Sequence, residues 1–124
     1  MPKKLNHTSL DQAYQHVADN GSQLDVVSDT TEPTDLTNSL ASTSLTTGDG
    51  NGDYTIEAGD VSGRKLTVAE QAGVSITADG EANHVVISDG AGTLLLITEC
   101  DPQQLYSGNL VNVPSFSDEI PDPT

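Results

Sequence analysis

Two periodicities divide this chain. Over residues 9–20, Leu10, Ala13, Tyr14, Val17 and Ala18 recur on one helical face, with Ser9 and Gln12 at capping-box separation and Gly21 placed to stop the run. These positions predict one amphipathic helix. Asp11 near its start and His16 near its end carry the signs that a helix dipole favours, which gives His16 a structural explanation. The stretch LDVV that follows reads as a strand, and TTEPTDLTNS as a loop or a short edge strand.

From Leu45 onward the period changes to two. SLTT, YTIE, RKLTV, VSIT, HVVIS, TLLLITEC and NLVNV are short β segments separated by turn signals at roughly ten-residue intervals, the spacing of a sandwich or small barrel. Asp79-Gly80 and Asp89-Gly90 are each suited to a tight hairpin. Turning at Asp79 and Gly80 sets Val74 against Val85 and Ile76 against Asn83; turning at Gly90 and Ala91 sets Val85 against Leu96 and Ile87 against Leu94. One face then collects Val74, Ile76, Val85, Ile87, Leu94, Leu96 and Cys100. The other carries His84, Val86, Leu95, Ile97 and Glu99, too apolar for open solvent, and predicts cover by the helix or by another subunit.

The expected fold is therefore mainly β: a small antiparallel sandwich or barrel-like domain with one short N-terminal helix. Its organisation reads as an N-terminal segment 1–8, a single domain over 9–113, and a Pro-rich acidic tail over 114–124. Pro114, Pro121 and Pro123 cannot donate to a ladder, so the tail fits an edge, a frayed end or an arm docked on a neighbour through Phe116 and Ile120.

Composition sharpens this picture. In 124 residues there are one Phe, three Tyr and no Trp, so the core must be aliphatic and thin, which favours burial of further apolar surface by oligomerisation. The net charge is −15, and the only cations are Lys3, Lys4, Arg64 and Lys65. Phosphate backbones need basic clusters, so nucleic acid is not an expected partner. No segment has the length and apolarity of a membrane-spanning helix, and the N-terminus lacks the apolar run of a secretory signal, so membrane association is not expected and synthesis is expected in the cytoplasm.

Candidate chemistry is sparse. The register puts Cys100 and His84 on opposite faces, His7 and His16 lack zinc spacing, and no nucleophile elbow, phosphate loop or dinucleotide fingerprint is present. The expectation is a protein without catalytic activity or cofactor. Calcium is the alternative: in TGDGNGDYTIEAGD, Asp49, Asn51, Asp53, Glu57 and Asp60 stand at the ligand spacing of a calcium loop. Against it, Tyr54 occupies the sharp turn that wants glycine, where its Cβ costs about 1–2 kcal/mol. Asp60 is also short for the closing bidentate ligand, and the flanks read as strands. The competing reading is a hairpin loop between SLTT and YTIE.

The run GRKLTVAEQAGVSITADGEANHVVISDGAGTLLLITEC, followed by LYSGNLVNVPSF and DEIPDP, resembles small virion proteins of tailed bacteriophages, in particular head decoration or cement proteins. The resemblance covers residues 54–124 well and the helix loosely. It implies a β-rich, non-enzymatic protein on the outer capsid surface that binds the major capsid protein and stabilises the head, commonly as a homo-oligomer such as a trimer. Its motifs are turn and core signals, and they do not separate decoration from head-tail joining or a fibre-base role. The expected contact residues are Lys3, Lys4, Val86, Leu95, Ile97, Phe116 and Ile120. A calcium-stabilised binding or adhesion module on a fibre or cell surface, of the carbohydrate-binding kind, is the alternative function.

Overall fold

The structure, a computed structural model, describes residues 7–29, 31–60 and 63–120; the side chains of residues 7–10 are also outside the description. The elements run α1 (His7–Asn20), β1 (Gln23–Val27), β2 (Ser39–Ser44), β3 (Tyr54–Ala58), β4 (Arg64–Val68), β5 (Gln71–Ser75), β6 (Gly80–Ser88), β7 (Leu94–Leu105), β8 (Leu110–Val113) and β9 (Phe116–Ile120). The protein is mainly β with one short helix, as its periodicities predict.

The strands form three antiparallel sheets, ordered β2-β1-β6-β7, β3-β4-β9 and β5-β8. One contiguous core joins them. Leu24, Val26, Val85 and Ile87 enter from the four-stranded sheet, Tyr54, Leu66 and Val68 from the three-stranded sheet, and Val74 and Val113 from the pair. Helix α1 lies on β3 and β4 and inserts Tyr14, Val17 and Ala18, the period that its sequence shows.

Polar contacts fix that helix. Tyr14 donates its hydroxyl to Asp118 Oδ2 on β9 at 2.8 Å, and Arg64 Nε on β4 donates to Asp11 Oδ1 at 2.8 Å. Because α1 begins at His7, Asp11 falls in its second turn and serves the sheet rather than the helix dipole. At the other end the Gly21 amide donates to the Val17 carbonyl, closing the helix, and the Tyr54 hydroxyl donates to the Gly21 carbonyl at 2.6 Å. Gly21 is required there by close approach: a Cβ would lie 2.6 Å from the Val17 carbonyl oxygen and 2.7 Å from Ile87 Cγ2.

Several strand pairings differ from the expected meander. β5 does not form a hairpin with β6; it pairs with β8, and Ile76 bridges Ala41. The reason lies in HVVIS, which is apolar on both faces and sits centrally with β1 and β7 on its two edges, leaving no edge for β5. Asp79 instead accepts from the Ser107 amide at 2.7 Å. The β6–β7 hairpin does form, but its loop is longer: Asp89 accepts from the amides of Ala91 and Thr93, and Val85 faces Thr98 rather than Leu96. Such a displacement by two residues keeps Leu96 to Glu99 on their expected faces, up to the register shift between Ile87 and Ser88. Val74, Ile76, Val85 and Ile87 are accordingly buried, and Leu96 and Cys100 pack against the core.

Residues 45–47 lie beyond the end of β2, and β3 pairs with β4 rather than with the SLTT segment. The acidic loop is thus a crossing between sheets and not a hairpin tip. Residues 116–120 form β9, in register with β4 from Val68↔Phe116 to Arg64↔Ile120, so this part of the tail docks on its own domain.

Candidate protein-docking edge

The four-stranded sheet has one face on the core and another that carries an unexpected polar network. Pairing of Asp25 with Val86 and of Val27 with His84 puts these four side chains on the second face. Asp25 is only 3% exposed and accepts from Gln23 Nε2 at 2.6 Å, Ser39 Oγ at 2.6 Å and Ser42 Oγ at 3.4 Å. A carboxylate this deep is tolerated because neutral donors surround it. It is a structural knot that ties β1 to β2. The sequence signal was the interruption of LDVV by an acid opposite the serines of SLASTS, and it went unread.

His84, on the same face, is 8% exposed. Its Nδ1 lies 3.0 Å from the Asp29 carbonyl oxygen and 3.1 Å from Asn83 Oδ1. Both neighbours accept, so Nδ1 donates, and His84 lines an open pocket of about 370 Å³ with Thr31, Glu32, Ile97 and Glu99. Cys100 points away from it. That thiol lines a separate cavity of about 240 Å³ with Val26, Val85, Leu105 and Val113, and burial, reinforced by the charges of Asp101 and Glu99, pushes its pKa up. The thiol and the imidazole thus face different cavities.

Beside the His84 pocket runs β7, the edge of its sheet. Among the described residues no strand pairs with its outer side. Alternate residues of an antiparallel edge strand turn their N–H and C=O groups away from the neighbour, here from β6. The strand's two halves differ. Leu94, Leu95, Leu96, Ile97 and Thr98 are uncharged and half-buried, whereas Asp101 and Pro102 place a charge and a missing donor in the second half. The first half is an unprotected template for another strand; the second is guarded.

The contact residues expected from sequence are distributed unevenly. Val86 is fully buried. Leu95 and Leu96 both pack against the core, because the register shift between Ile87 and Ser88 sets two residues of β7 against one of β6 and turns Leu95 inward. Ile97 stays on the second face, at the pocket. Helix α1, expected as cover for this face, lies on β3 and β4 instead. Phe116 and Ile120 are half-buried against the core. Lys3 and Lys4 lie outside the described residues. Sequence reasoning did not single out Glu32 or the backbone edge at 94–99, although the uninterrupted TLLLITE run was a signal for the latter.

The acidic loop uses its side chains on the protein itself. Asp49 accepts from the Ile56 amide at 2.9 Å, Asp53 from the Thr46 amide at 2.6 Å and from Gln71 Nε2 at 3.0 Å, and Asn51 donates to the Thr47 carbonyl at 2.9 Å. Lys65 lies 2.7 Å from Asp60 and 3.8 Å from Glu57. Among the described residues positive φ is confined to glycines, which include Gly48, Gly50 and Gly52, while Tyr54 is the buried first residue of β3. Among the described residues no group of three or more His, Cys, Asp or Glu side chains is arranged to hold a metal.

Compared with family models, with curated proteins and with solved structures, the chain matches none.

Proposed function

We propose that this chain is a non-enzymatic virion structural protein, a decoration protein that binds the outer surface of a phage head and stabilises it. The observation that carries the reading is the unpaired, apolar first half of β7. A monomeric domain blunts its strand edges against association, and the β7 edge is blunted over its second half only. The resemblance of residues 54–124 to small phage virion proteins supplies the class of partner, the major capsid protein. The acid excess keeps the free chain soluble until it docks.

Added backbone hydrogen bonds and burial of Leu94, Leu96 and Ile97 would stabilise such a contact at roughly 25 cal/mol per Å² of apolar surface, before the cost of association. The test is co-sedimentation of purified protein with heads assembled without it, alongside sedimentation velocity of the protein alone. The reading expects the chain in the head pellet, with the heads more resistant to heat. A monomer that stays in the supernatant would overturn it.

A further inference from the structure

Resting on that assembly reading, we propose that the first half of β7 takes up an extended basic segment of the partner, which adds as a new edge strand and drops a lysine or arginine side chain into the pocket of Glu32, His84 and Glu99. Two independent features meet here. The backbone groups of Leu94–Glu99 that turn away from β6 have no strand partner among the described residues. Directly beside them, on the face that carries Ile97, the pocket offers two carboxylates that no described donor engages.

The geometry selects the occupant. In an added strand successive side chains alternate between faces, so apolar residues would meet Leu96 and Thr98 while the intervening ones reach the pocket over Ile97. The stem of a long basic side chain packs on Ile97, and its charged end meets Glu32 and Glu99. His84, fixed by the contact of Nδ1 with the Asp29 carbonyl, lines the same pocket. Pro102 and Asp101 end the permissive stretch, so the added strand is short.

A second copy fits poorly. Each copy brings a net charge of −15, and the described cations are already engaged, Arg64 by Asp11 and Lys65 by Asp60. An electropositive strand from a different chain complements both the pocket and the overall field.

A short peptide of alternating valine and lysine is the probe, titrated into the full chain while amide exchange is followed by NMR. Binding should slow exchange of alternate β7 amides within Leu94–Glu99. A peptide with glutamate in place of lysine should not bind, nor should the lysine peptide once alternate backbone nitrogens are methylated. The double substitution Glu32→Gln and Glu99→Gln should weaken binding by about tenfold or more, since it removes both facing charges. Because both side chains are exposed, this variant should fold normally.

Equal binding of the methylated peptide, or protection that spares β7, would reduce the effect to diffuse attraction and overturn the inference. So would sedimentation showing that the chain self-associates through β7. If the peptide fails while the chain still pellets with heads, the basic strand is wrong and the decoration reading stands. If the peptide binds and heads are ignored, it is the decoration reading that falls.

Discussion

Replacing Tyr54 by Phe removes one oxygen from a fully buried side chain and keeps the ring that fills the core. The lost hydroxyl is the donor to the Gly21 carbonyl, at the joint where α1 ends and β1 begins. Gly21 is itself buried, so its carbonyl loses a partner without gaining water, a defect that costs about 1–3 kcal/mol. The same hydroxyl gives an alkaline signature. An unfolded tyrosine ionises near pH 10. In the fold, burial and then the charge of Asp53 push the Tyr54 pKa well above the ordinary value, and burial with the Asp118 contact does the same to Tyr14. The unfolded chain therefore releases these protons first. Stability should begin to fall below pH 10 as the unfolded Cys100 thiol ionises first, and above about pH 10 should fall by about 1.4 kcal/mol more per pH unit for each such tyrosine. Urea unfolding across this range, for the native chain and for Y54F, separates the effects. Tyr54→Phe should be less stable at neutral pH and should have an alkaline slope shallower by about 1.4 kcal/mol per pH unit, leaving the contributions of Tyr14 and Cys100. Equal stability of the two proteins at neutral pH, with identical alkaline slopes, would refute the account of this joint.

Other perturbations report on separate parts of the fold. Gly21→Ala should destabilise by about 3 kcal/mol, because the new methyl group meets the Val17 carbonyl and Ile87, and thermal melting will show it. Asp25→Ala should cost about 2–4 kcal/mol by leaving Gln23 and Ser39 donors without their buried acceptor, read by urea unfolding. Leu66→Ala, at the centre of the three-stranded sheet, should cost about 3–5 kcal/mol through the cavity it opens. Calcium at millimolar concentration should leave the melting temperature unchanged, since Asp49, Asp53 and Asp60 already accept from protein donors; a clear rise would restore the loop as an ion site.

The sequence made burial more legible than pairing. Val74, Ile76, Val85 and Ile87 were assigned to the inner face from the two turns and alternation, and they are inside although none of the four pairings assumed for them formed. Period two determines which side a residue faces whatever strand lies next to it, but it says nothing about which strand that is. HVVIS showed the missing information in its doubly apolar character, the mark of a central strand with both edges taken. Tyr54 misled in a different way: read as an intruder in an ion loop, it is a core side chain that begins β3. The docking edge was harder to see, because its donors and acceptors are backbone groups common to every residue. Only the strand order leaves those on the outer side of β7 without a strand partner among the described residues.

The account's central claim is that this edge serves assembly on a virion. The most direct measurement is a cryo-electron microscopy reconstruction of purified particles produced by the genome that encodes the chain. The account predicts density for this β domain at regular positions on the outer capsid surface, with the Leu94–Glu99 edge of β7 turned toward a capsid segment. Particles that lack the protein, or that carry it with β7 facing solvent, would contradict it.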